Sequence, residues 1–132
     1  MAIRTLIADP DWEFLRHAFQ ALPRSDFHVV VETDRKRALV FARHWQPAVL
    51  IAPAQFLEDW QRDEEYAPGG ARLPPHVLIT AYGNDEPQTW QPWAARGYEV
   101  LLKPMVHPTQ LHAAMEAVMR KTPRRQGSYV SA

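Results

Sequence analysis

The sequence predicts an α/β domain in which a parallel sheet is covered by helices on both faces. Three observations carry this. Short apolar runs alternate with amphipathic stretches along nearly the whole chain. Several runs, such as Val49-Leu50-Ile51-Ala52, are apolar throughout, as strands buried on both faces require. The stretches between them repeat apolar residues at three- and four-residue spacing, as helices with one buried stripe do.

The elements follow in order. Ile3 to Ala8 is the first strand. Pro10 to Leu22 is helical, with Phe14, Leu15, Ala18, Phe19 and Leu22 recurring at helical spacing. Phe27 to Thr33 is rich in β-branched residues and forms the second strand. Asp34 caps a second helix through Trp45, with Ala38, Leu39, Phe41 and Ala42 on or near its inner side. Val49 to Ala52 is the third strand, and Phe56 to Tyr66 is a charged helix. Ala67-Pro68-Gly69-Gly70 ends that helix, and the loop runs on to Pro75. His76 to Ala81 is the fourth strand. Pro87 to Arg96 is helical with Gly97 as its stop, and Pro92 makes this helix short, kinked or broken. Tyr98 to Leu102 is the fifth strand. Pro108 to Lys121 is the last helix, with Leu111, Ala114, Met115 and Val118 on one stripe. Residues 1–121 are thus one domain, and 122–132 form a flexible basic tail or linker.

Five such units in this length match a doubly wound, flavodoxin-like sheet of order 2-1-3-4-5. That fold places its site at the carboxyl ends of the strands. The residues in question are therefore Asp9, Pro10, Asp11, Pro53, Ala54, Thr80, Ala81, Lys103 and Pro104.

Composition narrows the function. Fifteen basic and fifteen acidic residues give no electrostatic case for direct nucleic-acid binding. No apolar run approaches the roughly 20 residues of a membrane span, and no secretory leader is legible at the N-terminus. With no cysteine there is no disulfide and no thiolate metal site, which fits a cytoplasmic location. The six histidines show no ligand spacing; His107 and His112 are five apart. No metal, cofactor or nucleophile–base pair is expected, so the chain is not read as an enzyme.

Three segments carry a family resemblance. Leu6-Ile7-Ala8-Asp9-Pro10-Asp11 resembles the acidic cluster after the first strand of response-regulator receiver domains. Val77-Leu78-Ile79-Thr80-Ala81-Tyr82-Gly83 is similar to that family's fourth strand with its hydroxyl residue. Gly97-Tyr98-Glu99-Val100-Leu101-Leu102-Lys103-Pro104 is similar to its fifth strand with the Lys-Pro end, where the resemblance implies a cis peptide bond. In the family, two acids and an acceptor aspartate hold magnesium, and the lysine and hydroxyl contact the transferred phosphoryl group. The resemblance implies a role in two-component signalling or a phosphorelay.

This chain departs from that pattern. The acceptor position falls on Pro53 and the second acid on Pro10, with Asp11 one place late. Proline supplies neither a nucleophile nor a metal ligand. The aromatic relay residue three places before the lysine is here Val100. Asp9, Asp11 and Lys103 sum to −1 at most, and to zero if Asp11 faces solvent. A neutral pocket holds a divalent ion poorly, so an Asp9–Lys103 contact is expected instead. Asp9-Pro10-Asp11 also reads simply as a helix start, with Asp9 as cap and Pro10 first. Thr80 also reads as an ordinary strand residue.

The leading expectation is a pseudo-receiver that signals through protein contact without aspartyl phosphorylation. The alternatives are a receiver with a displaced acceptor, Asp9 or Asp11, and a sensor of small ligands. Trp60, Trp90 and Trp93 are candidate partner-surface residues, although partial burial against the sheet is the simpler reading of them. A homodimer through the fourth helix, fifth strand and fifth helix is a further expectation of the resemblance.

Overall fold

The computed structural model describes residues 2–66, 73–82, 87–105 and 107–121, with backbone alone at 63–66. The chain alternates β1 (Ile3–Ala8), α1 (Trp12–Ala21), β2 (Phe27–Glu32), α2 (Arg35–Trp45), β3 (Val49–Pro53) and α3 (Ala54–Tyr66). It continues with β4 (His76–Tyr82), a single 3-10 turn (Pro87–Thr89), α4 (Gln91–Ala95), β5 (Glu99–Lys103) and α5 (Pro108–Arg120). All strand pairs are parallel, in the order β2-β1-β3-β4-β5. The predicted fold class and strand order are those observed.

Strand alternation divides the core into two layers. Leu6, Ala8, Leu50, Ala52, Val77 and Ile79 face Ala38, Ala42, Phe56, Leu57, Trp60 and Trp93 of α2, α3 and α4. Ile7, Val49, Ile51, Leu78 and Leu101 face Phe14, Leu15, Ala18, Leu111, Met115 and Val118 of α1 and α5. Because successive strand side chains point to opposite faces, strands apolar throughout can serve both layers at once.

Two boundaries differ from expectation. α1 starts at Trp12, and its cap is Asp11, whose carboxylate accepts from the Glu13 and Phe14 amides. Asp9 is drawn into the sheet edge instead, which leaves Pro10 exposed ahead of the helix. β3 runs into α3 with no loop, so Pro53 is the last strand residue and Ala54 the first helical one. The fourth helical region is short and broken ahead of Pro92, as that proline predicted, leaving α4 only five residues long. A proline fits the first turn of a helix, where its missing N–H costs nothing. Gly97 follows at φ 94°, a conformation that favours glycine.

Leu102 on edge strand β5 remains 47% exposed. The expected helix end at Ala67-Pro68-Gly69-Gly70 and the tail at 122–132 lie outside the described residues.

Candidate functional site at the carboxyl edge

The topology brings Asp9, Thr80 and Lys103 together from the ends of β1, β4 and β5. Each is buried. The Lys103 ammonium donates to Asp9 Oδ2 at 2.9 Å, and the Thr80 hydroxyl donates to the same oxygen at 3.1 Å. Asp9 Oδ1 accepts from the Asp11 amide at 2.9 Å. The carboxylate is thus neutralised on one side and hydrogen-bonded at both oxygens. That is the condition under which a buried ion pair is tolerated.

Two aromatic rings complete the enclosure of the lysine. Its ammonium lies 5.2 Å from the Phe14 ring centroid and 4.2 Å from that of Tyr82, within cation–π range. The Tyr82 hydroxyl donates to Asp11 Oδ2. That hydrogen bond is the main cause holding the Asp11 carboxyl below the ordinary aspartate range, with further help from the Phe14 and Glu13 amides and the Lys103 charge. Asp11 therefore serves α1 and Tyr82 at the rim. Residues 80 and 82 on one strand reach acids 9 and 11 on another chain segment, a pairing that follows from the two-residue period of a strand.

The expected Asp9–Lys103 contact is present and is direct, and the Lys103–Pro104 peptide is cis, as the resemblance implied. Pro53, on which the resemblance places the acceptor position, lies opposite Thr80 in the β3–β4 ladder. Val100 packs part-buried against the α2–α3–α4 layer. Magnesium, which the resemblance implies, does not fit this donor set. Both Asp9 oxygens are engaged, Pro53 offers no oxygen on its side chain, and Asp11 is turned to Tyr82.

Beside this closed cluster lies a cavity of about 500 Å³. Pro53, Thr80 and Ala81 line it at the strand ends, with Ala54, Gln55 and Glu58 on α3 and Thr89 and Trp90 ahead of α4. The Trp90 indole nitrogen is buried and has no hydrogen-bond partner among the described residues.

The tryptophans correct one expectation. Trp60 is fully buried and Trp93 nearly so, both in the layer under α2, α3 and α4. Phe56 packs edge-on against Trp60, and Tyr98 against Trp93, so these rings fill volume left by small sheet residues such as Ala8 and Ala52 and present no contact surface. Trp90 is part-buried. The exposed indole is Trp12, on α1. Sequence reasoning also missed Phe14 and Tyr82 as partners of Lys103. The signal available was parity, since Tyr82 must emerge on the same face as Thr80.

No protein-family model matches the sequence, and no curated protein matches it. Solved structures do match its fold. Chemotaxis protein CheY4 of Vibrio cholerae is 18% identical with a TM-score of 0.67, over 89% of this chain and 99% of that one. A signal receiver domain of a Bermanella marisrubri response regulator is 18% identical with a TM-score of 0.69, over 91% of this chain and 100% of that one. The receiver domain of AraT, a response regulator from Geobacillus stearothermophilus, is 22% identical with a TM-score of 0.67, over 89% and 93%. The chain therefore has the CheY-like receiver fold. No described helix is long and apolar enough to cross a membrane.

Proposed function

We propose that this chain is a receiver domain of two-component signalling that works without aspartyl phosphorylation, through contact with another protein. The observation that carries the reading is the occupation of Asp9 by Lys103 and Thr80 opposite a proline at the acceptor position. In a working switch the lysine and hydroxyl must be free to meet equatorial phosphoryl oxygens, and a metal must offset their charge. Here all three polar groups already satisfy one another. The same engagement argues against Asp9 as a displaced acceptor, and the α1 cap and Tyr82 argue against Asp11.

Incubation with acetyl phosphate and magnesium, followed by intact mass measurement, tests this. No stable phosphoryl adduct is expected. An adduct absent from the Asp9→Asn or Asp11→Asn variant would establish a displaced acceptor and overturn the reading. The Pro53→Asp variant is expected to remain a poor substrate, because Asp9 stays paired with Lys103.

The cavity beside Pro53 favours a second reading, a small-ligand sensor. Its lining includes Gln55 and Glu58, polar side chains of a kind that can hydrogen-bond such a ligand. A thermal-shift screen with nucleotides and flavins checks this, and a flat response would exclude those classes.

A further inference from the structure

Away from the strand ends, α2 and α3 border an open groove of about 610 Å³. The chain has a formal charge of zero, yet α2 carries Arg35, Lys36, Arg37 and Arg43 and no acidic residue. Lys36, Val40 and Arg43 are spaced i, i+4, i+7 and so form one stripe along the groove. Val40 is 53% exposed, and Leu39 beside it is part-buried. A β-branched aliphatic at an exposed helical position adds nothing to helix propensity and buries little surface in the free protein.

Across the groove, α3 presents Asp59 and Arg62. The Asp59 carboxylate pairs with Arg35 at 2.7 Å and with Arg62 at 3.0 Å. Two guanidiniums, each with five N–H donors, therefore share one carboxylate, and both remain largely exposed. Arg43 has an interaction of its own. Setting it aside, three cations border the groove against one carboxylate among the described lining residues.

We propose that the α2–α3 groove docks an acidic peptide segment of a partner protein, bearing one large aliphatic side chain. The aliphatic group seats on Leu39 and Val40, and flanking carboxylates meet Lys36 and the shared Arg35–Arg62 pair, where bidentate geometry is available. The aliphatic floor favours a peptide, because nucleic acid would meet the cations through its phosphates and leave Leu39 and Val40 without an apolar partner. A single exposed valine is also far less than the apolar face with which a helix enters a lipid interface. The inference rests on the reading of a domain that works by protein contact, but it uses residues remote from Asp9 and Lys103.

The full isotope-labelled chain is titrated, by amide chemical shift, with a peptide of about twelve Asp and Glu residues around one central Leu. The comparators are the same peptide with Lys for each acid, the same peptide with Ser for Leu, phosphatidylserine vesicles, and a short DNA duplex. Saturable shifts are expected at Lys36, Leu39, Val40 and Arg62, for the acidic Leu peptide alone. Lys36→Glu and Val40→Asp, both at exposed positions, are each expected to weaken binding by about tenfold or more. Raising salt from about 0.05 to about 0.3 M is expected to weaken it further. Absence of saturable binding, shifts outside the groove, equal binding of the Lys or Ser peptide, or tighter binding of vesicles or duplex would each overturn the proposal. Failure of this titration with no phosphoryl adduct in the mass test would remove the groove alone. A phosphoryl adduct would remove the unphosphorylated reading and leave the titration to stand or fall by itself.

Discussion

The two halves of the sheet's carboxyl edge are built in different ways. At the ends of β1 and β5, Asp9 and Lys103 are buried against each other, and every carboxylate oxygen has a partner. At the end of β3, beside them, Pro53 and Trp90 border open volume, and a buried indole N–H has no described partner. Charge has been accounted for in the first half, while volume has been left in the second. The difference reflects cost. A buried unpaired charge is far more expensive than a solvent-connected cavity, so the charged half is the more tightly specified.

The sharpest way to break that contrast is Lys103→Met. It strands the Asp9 carboxylate, and unfolding in urea is expected to show a loss of about 3–5 kcal/mol. Adding Asp9→Asn should recover a large part, since no charge then remains to be paired. A loss within the noise for the single variant would mean that charge does not hold this edge.

Thr80→Val comes next. It removes one donor to the carboxylate while Lys103 and the Asp11 amide remain, for an expected loss of about 1.5–3 kcal/mol. Tyr82→Phe acts at the exposed rim, where solvent screens the interaction, and should cost less than about 1 kcal/mol. Its pH dependence is the more telling readout. The Asp11 carboxyl is held below its ordinary value of 3.8 in the folded chain, chiefly by Tyr82. That contribution is complete above the unfolded value and is lost as pH falls through the folded one. The stability gap between wild type and Tyr82→Phe should therefore be constant near neutrality and close on acidification. A gap that widens in acid would show that Tyr82 does not act on Asp11.

The smallest effect is expected on the open side. Trp90→Phe deletes an N–H that has no partner among the described residues while keeping an aromatic ring, so stability should hold or rise by up to about 1 kcal/mol. A clear loss would mean that the indole nitrogen has a partner, and the two halves would then be more alike than described.

Much of the site was readable because a parallel sheet has few ways to order five strands, and its carboxyl edge collects the residues that follow each strand. Asp9, Thr80 and Lys103 could be brought together on paper for that reason. The helix cap could not. Asp9 and Asp11 are equally good caps in sequence, and only the pull of a buried lysine 94 residues away assigns Asp9 to the sheet and Asp11 to α1. The tryptophans failed differently. Residue type gives no depth, and Trp60 is buried because alanines in β1 and β3 leave room above the sheet.

By itself, the sequence determined the α/β alternation, the two-sided strands, the absence of any carboxylate between Ala48 and Leu57, and the near-neutral charge at the strand ends. These depend on local periodicity and on which residues exist to be ionised. The tertiary structure alone decided which oxygen of Asp9 meets which donor, that Phe14 and Tyr82 enclose Lys103, and that α3 sets Asp59 and Arg62 across the groove from Val40. Those facts depend on distance between elements far apart in the chain, which periodicity does not encode.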